Sequence, residues 1–167
     1  PSAATTAASG GRFWTFKAQA LRLTIGVYCP KTALGQPQVE VLLFAHGLLH
    51  VCGGPANAAG LVQHAPLNLA RIIDGLPRPV VLVVPEMDWE RHRGAHPLSN
   101  PAALNGVLAE VLQEVGRVQG GVAPSLRTLA LAGHSRAYSF LGPLARAHAQ
   151  APMQQGALAK LAEVWAL

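Results

Sequence analysis

The period of the hydrophobic positions changes several times along this chain, and each change marks an element. The runs RFWTFKAQ and LRLTIGVYC are short and rich in aromatic or β-branched residues, with Leu21, Leu23, Ile25 and Val27 at alternate positions. Such period-two patterning predicts two strands closed into a hairpin. After the turn-rich PKTALGQPQ comes VEVLLFAHG, whose near-continuous apolar run from Val41 to Ala45 suits a strand buried on both faces, as in a parallel sheet. RPVVLVVPEMDW and LRTLALAG repeat that pattern, and LAEVWAL reads as a further strand.

Between these runs the spacing becomes helical. From Asn57 to Gly75, Leu61, Leu69, Ile72 and Ile73 recur at helical intervals, with Pro66 implying a kink or two shorter pieces and Gly75 a stop. SNPAALNGVLAEVLQEVGRV carries a cap at Ser99 or Asn100, Pro101 near the first helical position, and Leu104, Leu108, Val111, Leu112 and Val115 on one face. RAYSFLGPLARAHAQ is read as a helix despite Pro143. Strands that alternate with helices predict an α/β fold: a mostly parallel, right-handed sheet flanked by helices, with an antiparallel N-terminal hairpin at one edge.

Composition narrows the class. The chain has 167 residues, 50% of them hydrophobic and 13% charged, which suits one domain with a real core and excludes a disordered chain. No apolar run reaches the ~18 residues that a membrane helix requires, so no membrane span is expected. The net charge of +5 comes mostly from scattered arginines, and the one local basic cluster, ERHRGAH, lacks the aromatic interleaving of a nucleic-acid reader. No nucleic-acid partner is therefore expected. Residues 1–11, PSAATTAASGG, read as a flexible leader without the apolar core of a signal peptide, and residues 12–167 as the domain. Cys29 and Cys52 are too few for a disulfide framework or a zinc site; if the second strand of the hairpin lies antiparallel to the third strand, they fall at opposite ends of the sheet and stay free thiols.

The chemistry concentrates in LALAGHSRAYSF, where Ser135 stands between a buried strand and a helix. Small residues two positions before and after it, Gly133 and Ala137, permit a sharp turn in which strand and helix pass close together. The following helix aims its N-terminal N–H groups at the same spot, so the backbone N–H of Arg136 is a candidate oxyanion donor. A second donor is expected from AHGLLHVCGG, the loop after the third strand, at the N–H of Leu48, with Gly47 as the competing assignment. His46, His134, Glu86 and Asp88 are placed near this edge as pocket residues; His134 is a poor base because its side chain should point away from that of Ser135. His46 with His50 and His92 with His96 have four-residue spacing, but Gly47 and Gly94 argue against helix and no glutamate follows the first histidine, so no metal and no other cofactor is assigned.

At these residues the chain resembles the α/β-hydrolase superfamily of serine hydrolases: FAHG after the third strand, VVLVVPEMDW as the fourth, LALAGHSRAYSF as the nucleophile elbow and LAEVWAL as the sixth. One departure is Ala137, where the pattern G-x-S-x-G has its last glycine. The resemblance implies a serine esterase with a small-molecule acyl or ester substrate, Ser135 as nucleophile, and an acid and a histidine following in the order Ser, Asp or Glu, His. In that order the acid is due just after the sixth strand and the histidine later still, both past Leu167, so the fold is expected to be truncated after the sixth strand. A proteolytic fragment completed by a second polypeptide, a portion of a longer gene, and a degenerate relative acting as a binding or scaffold domain all fit that pattern. The segment ERHRGAHPLSN is a candidate loop over the pocket, its arginines suited to an acidic group.

Overall fold

The computed structural model describes residues 2–47, 62, 68–87, 96–150 and 156–166. Every strand expected from the sequence is present, and one more. They are β1 (Thr5–Thr6), β2 (Arg12–Lys17), β3 (Thr24–Cys29), β4 (Gln38–Ala45), β5 (Val80–Pro85), β6 (Ser125–Gly133) and β7 (Leu161–Ala166). The helices among the described residues are α1 (Leu69–Asp74), α2 (Pro101–Gln119) and α3 (Tyr138–Gln150), with single 3-10 turns between elements. One sheet of order β1-β2-β3-β5-β4-β6-β7 contains all seven strands. The run β5-β4-β6-β7 is parallel and β1, β2 and β3 add to it antiparallel, so β2 points the same way as the parallel strands.

The apolar runs are continuous because both faces of the sheet are covered. Val81 and Val83 of β5 join the cluster under α2 and α3, whereas Val80, Leu82 and Val84 join the opposite cluster with Ala70 and Ile73 of α1. In β4, Val41 and Leu43 face the first side and Phe44 the second. Helix α2 presents Leu104, Val107, Leu108, Val111 and Val115 to the sheet, a stripe at three- and four-residue spacing that removes apolar area from water at ~25 cal/mol per Å2. Its ends follow the expected rules. Asn100 Oδ1 accepts from the N–H groups of Ala102 (2.9 Å) and Ala103 (3.4 Å), Pro101 opens the first turn, and Gly120 ends the helix at φ 72°. Arg12 Nη1 donates to Val118 O at 2.6 Å in the last turn, placing a cation on orphan carbonyls.

Several expectations are corrected. Within residues 1–11, read as a flexible leader, Thr5–Thr6 pairs with Phe13 and Arg12, because Ser9 Oγ also meets Tyr28 Oη (2.9 Å) and draws the segment onto the sheet. The hairpin does not lie beside β4: β3 pairs antiparallel with β5, since β5 rather than β4 presents the free edge. The consequence for Cys29 is unchanged, as it lies at the end of the sheet away from the C-terminal ends of the parallel strands. Its thiol is free and buried, and burial pushes it up to about 11. Cys52 lies outside the described residues, as does most of the helix expected over 57–75, of which Leu69–Asp74 is seen with Gly75 as its stop. The helix expected from Arg136 begins as α3 only at Tyr138, after a 3-10 turn over Ser135–Ala137.

This order of strands sets the location of any site. The chain runs from β4 to β5 on one side, then crosses to β6 on the other, leaving α1 on one face and α2 on the opposite one. Where successive crossovers diverge, the C-terminal end of the central strand faces an open crevice. Here that strand is β4, followed by His46 and Gly47.

Candidate functional site

β4 and β6 are paired in register up to Ala45 opposite Gly133. Past that rung the two backbones stay together: His134 N–H donates to Ala45 O at 3.2 Å, and Gly47 faces Ser135. Ser135 is exposed and takes φ 57°, one of three non-glycine residues of the described chain in the left-handed region. For an L-residue that conformation costs roughly 1–2 kcal/mol, so the surroundings impose it. His134 is extended (φ −118°, ψ 138°), Ser135 reverses the chain, and Ala137 N–H closes the turn on His134 O at 3.2 Å. Strand becomes helix within this one turn, and the serine is left at its apex.

Close approach explains the small residues. A Cβ at Gly133 would lie 2.7 Å from the Ala137 methyl and 2.9 Å from Leu141 Cδ1, so the strand passes the helix with room for one methyl and not two. Ala137, fully buried, supplies that methyl, which is why alanine is accommodated where the hydrolase pattern has glycine. A Cβ at Gly47 would lie 2.9 Å from Ser135 Cβ and 3.0 Å from His134 O. Gly47 therefore lets the loop after β4 reach the serine, as its backbone must if it is to share a ligand with that side chain.

His46 is buried beside this contact and holds the ends of two strands together. Met87 N–H donates to its Nε2 at 3.0 Å, so the ring proton sits on Nδ1, which donates to Gly47 O at 2.8 Å. Burial lowers the imidazole below its ordinary value of 6.5, while the Gly47 bond and the nearby charge of Glu86 pull the other way. The ring is thus neutral at pH 7, with both nitrogens engaged. Glu86, at the end of β5, is half-buried and its N–H donates to Thr24 O at 2.8 Å. His134 is exposed, with its Nδ1 beside Gly47. Among the sequence-predicted residues, then, His46, Gly47, His134 and Ser135 with Arg136 are brought together, and Glu86 stands one strand away. Leu48 and Asp88 lie outside the described residues, as do His50, His92, Arg91 and Arg93.

Comparison with solved structures matches this arrangement of elements. An S-formylglutathione hydrolase from Agrobacterium tumefaciens superposes with TM-score 0.54 at 14% identity, over 98% of this chain and 60% of its own. Poly(aspartic acid) hydrolase-1 from Sphingomonas sp. KT-1 gives TM-score 0.51 at 15% identity, over 91% and 53%. The ferric enterobactin esterase of Salmonella typhimurium gives 0.51 at 15%, over 98% and 37%. The chain has the α/β-hydrolase fold. No family model and no curated protein sequence matches it. The α/β-hydrolase fold seen here spans 60% or less of the length of these three neighbours.

Within this α/β-hydrolase fold the structure adds one residue, His96, from the segment expected as a loop over the pocket. His96 is buried rather than solvated: its Nδ1 accepts from Leu98 N–H at 3.2 Å, and its ring meets Phe140 of α3 edge-on at 6.3 Å. It braces the helix that follows Ser135. The signal was present in HPLSN, where a histidine precedes the proline that opens a 3-10 turn and so can cap it. Among the described residues no group of three or more His, Cys, Asp or Glu converges in a way that could hold a metal ion.

Proposed function

We propose that this protein is a serine hydrolase of carboxylic ester or related acyl bonds, with Ser135 as the nucleophile. One observation carries the reading: a serine forced into left-handed backbone geometry at the apex of a strand-to-helix turn, with Gly47 of the neighbouring strand end packed against it. Strain of this kind is retained where a side chain must be presented at a fixed place. Ser135 Oγ attacks the acyl carbon, the carbonyl oxygen becomes an oxyanion, and the serine proton passes through a base to the departing alcohol; water then releases the acyl group by the same route in reverse. The backbone N–H groups of Arg136 and Leu48, or Gly47 in place of Leu48, stabilise the oxyanion. His46 is a wall of the pocket and not the base, since both of its nitrogens are already committed. His134 and Glu86 line the remainder in this reading, and Asp88 is assigned to it from the sequence alone.

The acid and the catalytic histidine come, in this reading, from polypeptide beyond Leu167, either continuous with this chain or on a second one. A small-molecule ester is the proposed substrate class, a reading supported by the S-formylglutathione hydrolase and the ferric enterobactin esterase among the neighbours. Incubation of the full-length protein with a fluorophosphonate probe should place one adduct on Ser135, found by peptide mapping, and Ser135→Ala should remove it. A folded full-length preparation that neither labels nor turns over p-nitrophenyl esters would overturn the proposal and leave a non-catalytic binding domain.

A further inference from the structure

Left-handed backbone singles out a second residue. Of the three non-glycine cases, Asn68 is of a type that tolerates the region and Ser135 has been accounted for, which leaves Arg22 at φ 54° in the turn between β2 and β3. Glycine would adopt this geometry without strain, so the arginine side chain is the feature retained at a cost. Its setting gives it something to do. Lys17, Ala18, Gln19 and Arg22 line a recess of about 420 Å3. Both cations are exposed, and neither forms an ion pair or hydrogen bond among the described residues. The turn is held rigid: Ala18 N–H donates to Leu23 O at 2.8 Å, and Glu110 of α2 accepts from Gln19 N–H (2.7 Å) and Ala20 N–H (3.2 Å). Those bonds occupy both carboxylate oxygens of Glu110.

The recess also lies on the functional edge. β2 runs in the direction of β4, β5 and β6, so its C-terminal residue Lys17 ends on the same side of the sheet as Gly47 and Ser135. From β6 across β4, β5 and β3 to β2 is four strand spacings, roughly 19 Å. We propose that Lys17 and Arg22 form an anion-binding site that takes a carboxylate or phosphate group, on the edge of the sheet that carries Ser135. A fixed turn that presents two uncommitted cations around a recess is preorganised for such a group, whether it belongs to the far end of a long substrate or to a free anion.

Titration of the protein with inorganic phosphate and with glutarate at low ionic strength, followed by calorimetry or amide chemical shifts, tests this directly. Arg22→Gly is the informative variant, because glycine relieves the left-handed strain while removing the guanidinium, and its fold is retained. Saturable binding that weakens about tenfold in Arg22→Gly and in Lys17→Gln, but not in the surface variant Arg71→Gln, is the expected result. Equal binding by wild type and Arg22→Gly, or no saturation in wild type, would overturn the proposal. A pair of esters of equal length, one ending in a carboxylate, then separates the two sources. A KM advantage for the charged ester that disappears in Arg22→Gly assigns the group to the substrate, and its absence with phosphate binding intact assigns a free anion. Phosphate binding does not depend on turnover, so failure of the hydrolase reading would be seen separately.

Discussion

Replacing Gly133 by alanine inserts a methyl 2.7 Å from the Ala137 Cβ and 2.9 Å from Leu141 Cδ1, in place of the roughly 3.5–4.0 Å at which carbon atoms pack favourably. Leu141 can change rotamer, but the Ala137 methyl is fixed by the backbone of the turn. Strand β6 and the 3-10 turn must therefore separate by about 1 Å at the point that presents Ser135. Overpacking of this kind costs about 1–3 kcal/mol, or a fall in Tm of roughly 2–4 °C per kcal/mol for a domain of this size. The compensating change is specific: Ala137→Gly removes the blocking methyl, at its own cost of about 1 kcal/mol for a buried methyl and a freer backbone. The double variant should then be more stable than the sum of the two changes predicts, with a coupling of at least about 1 kcal/mol in urea unfolding. Strict additivity, within about 0.5 kcal/mol, would refute the claim that one methyl and no more fits between strand and turn.

Other consequences follow from the same geometry. Ser135→Gly relieves the left-handed backbone and should raise stability by about 0.5–1 kcal/mol while abolishing fluorophosphonate labelling, read by thermal unfolding and gel fluorescence; a lower Tm would count against strain at that residue. His46 has its imidazole lowered below 6.5 in the folded state, so the unfolded chain binds the extra proton first as pH drops. The stability it contributes is therefore present above about pH 6.5 and lost as pH falls through the folded value; in His46→Gln that part of the pH dependence should vanish, as measured by urea midpoints between pH 7 and 5. Asn100→Ala deletes the acceptor for Ala102 and Ala103 N–H and should cost about 1 kcal/mol in the same unfolding assay. Buried Cys29, with its thiol pushed up to about 11, should resist iodoacetamide at pH 8 until denaturant is added, as read by peptide mapping.

Local signals were enough for most of the elements and for the strand-to-helix turn at Ser135. Val80 to Val84 can be read as a strand buried on both faces because no polar residue interrupts it, and the structure sends alternate members of that run to opposite clusters. Asn100, Pro101 and Gly120 announce α2 through capping chemistry that depends on adjacent residues alone. Ser135 was legible for the same reason: Gly133 and Ala137, two positions to either side, encode the close passage of strand and helix. The partner strand of the hairpin was not legible, because an edge strand's neighbour is decided by which hydrogen-bonding edge is left open once β4, β5 and β6 have paired. Thr5–Thr6, too short and polar to show a period, became a strand only because β2 offered it a ladder.

By itself, then, the sequence determined an alternating α/β chain, the caps of its longest helix, and one serine set between small residues at a strand-to-helix turn, all properties of neighbours within a few positions. Only the tertiary structure decided that Gly47 meets Ser135, that His46 Nε2 joins the ends of β4 and β5 by accepting from Met87 N–H, that His96 is buried against Phe140, and that Lys17 and Arg22 share an edge of the sheet with the serine. Each of these joins residues that are distant in sequence, and such contacts are set by strand order, register and burial, which the whole chain settles together.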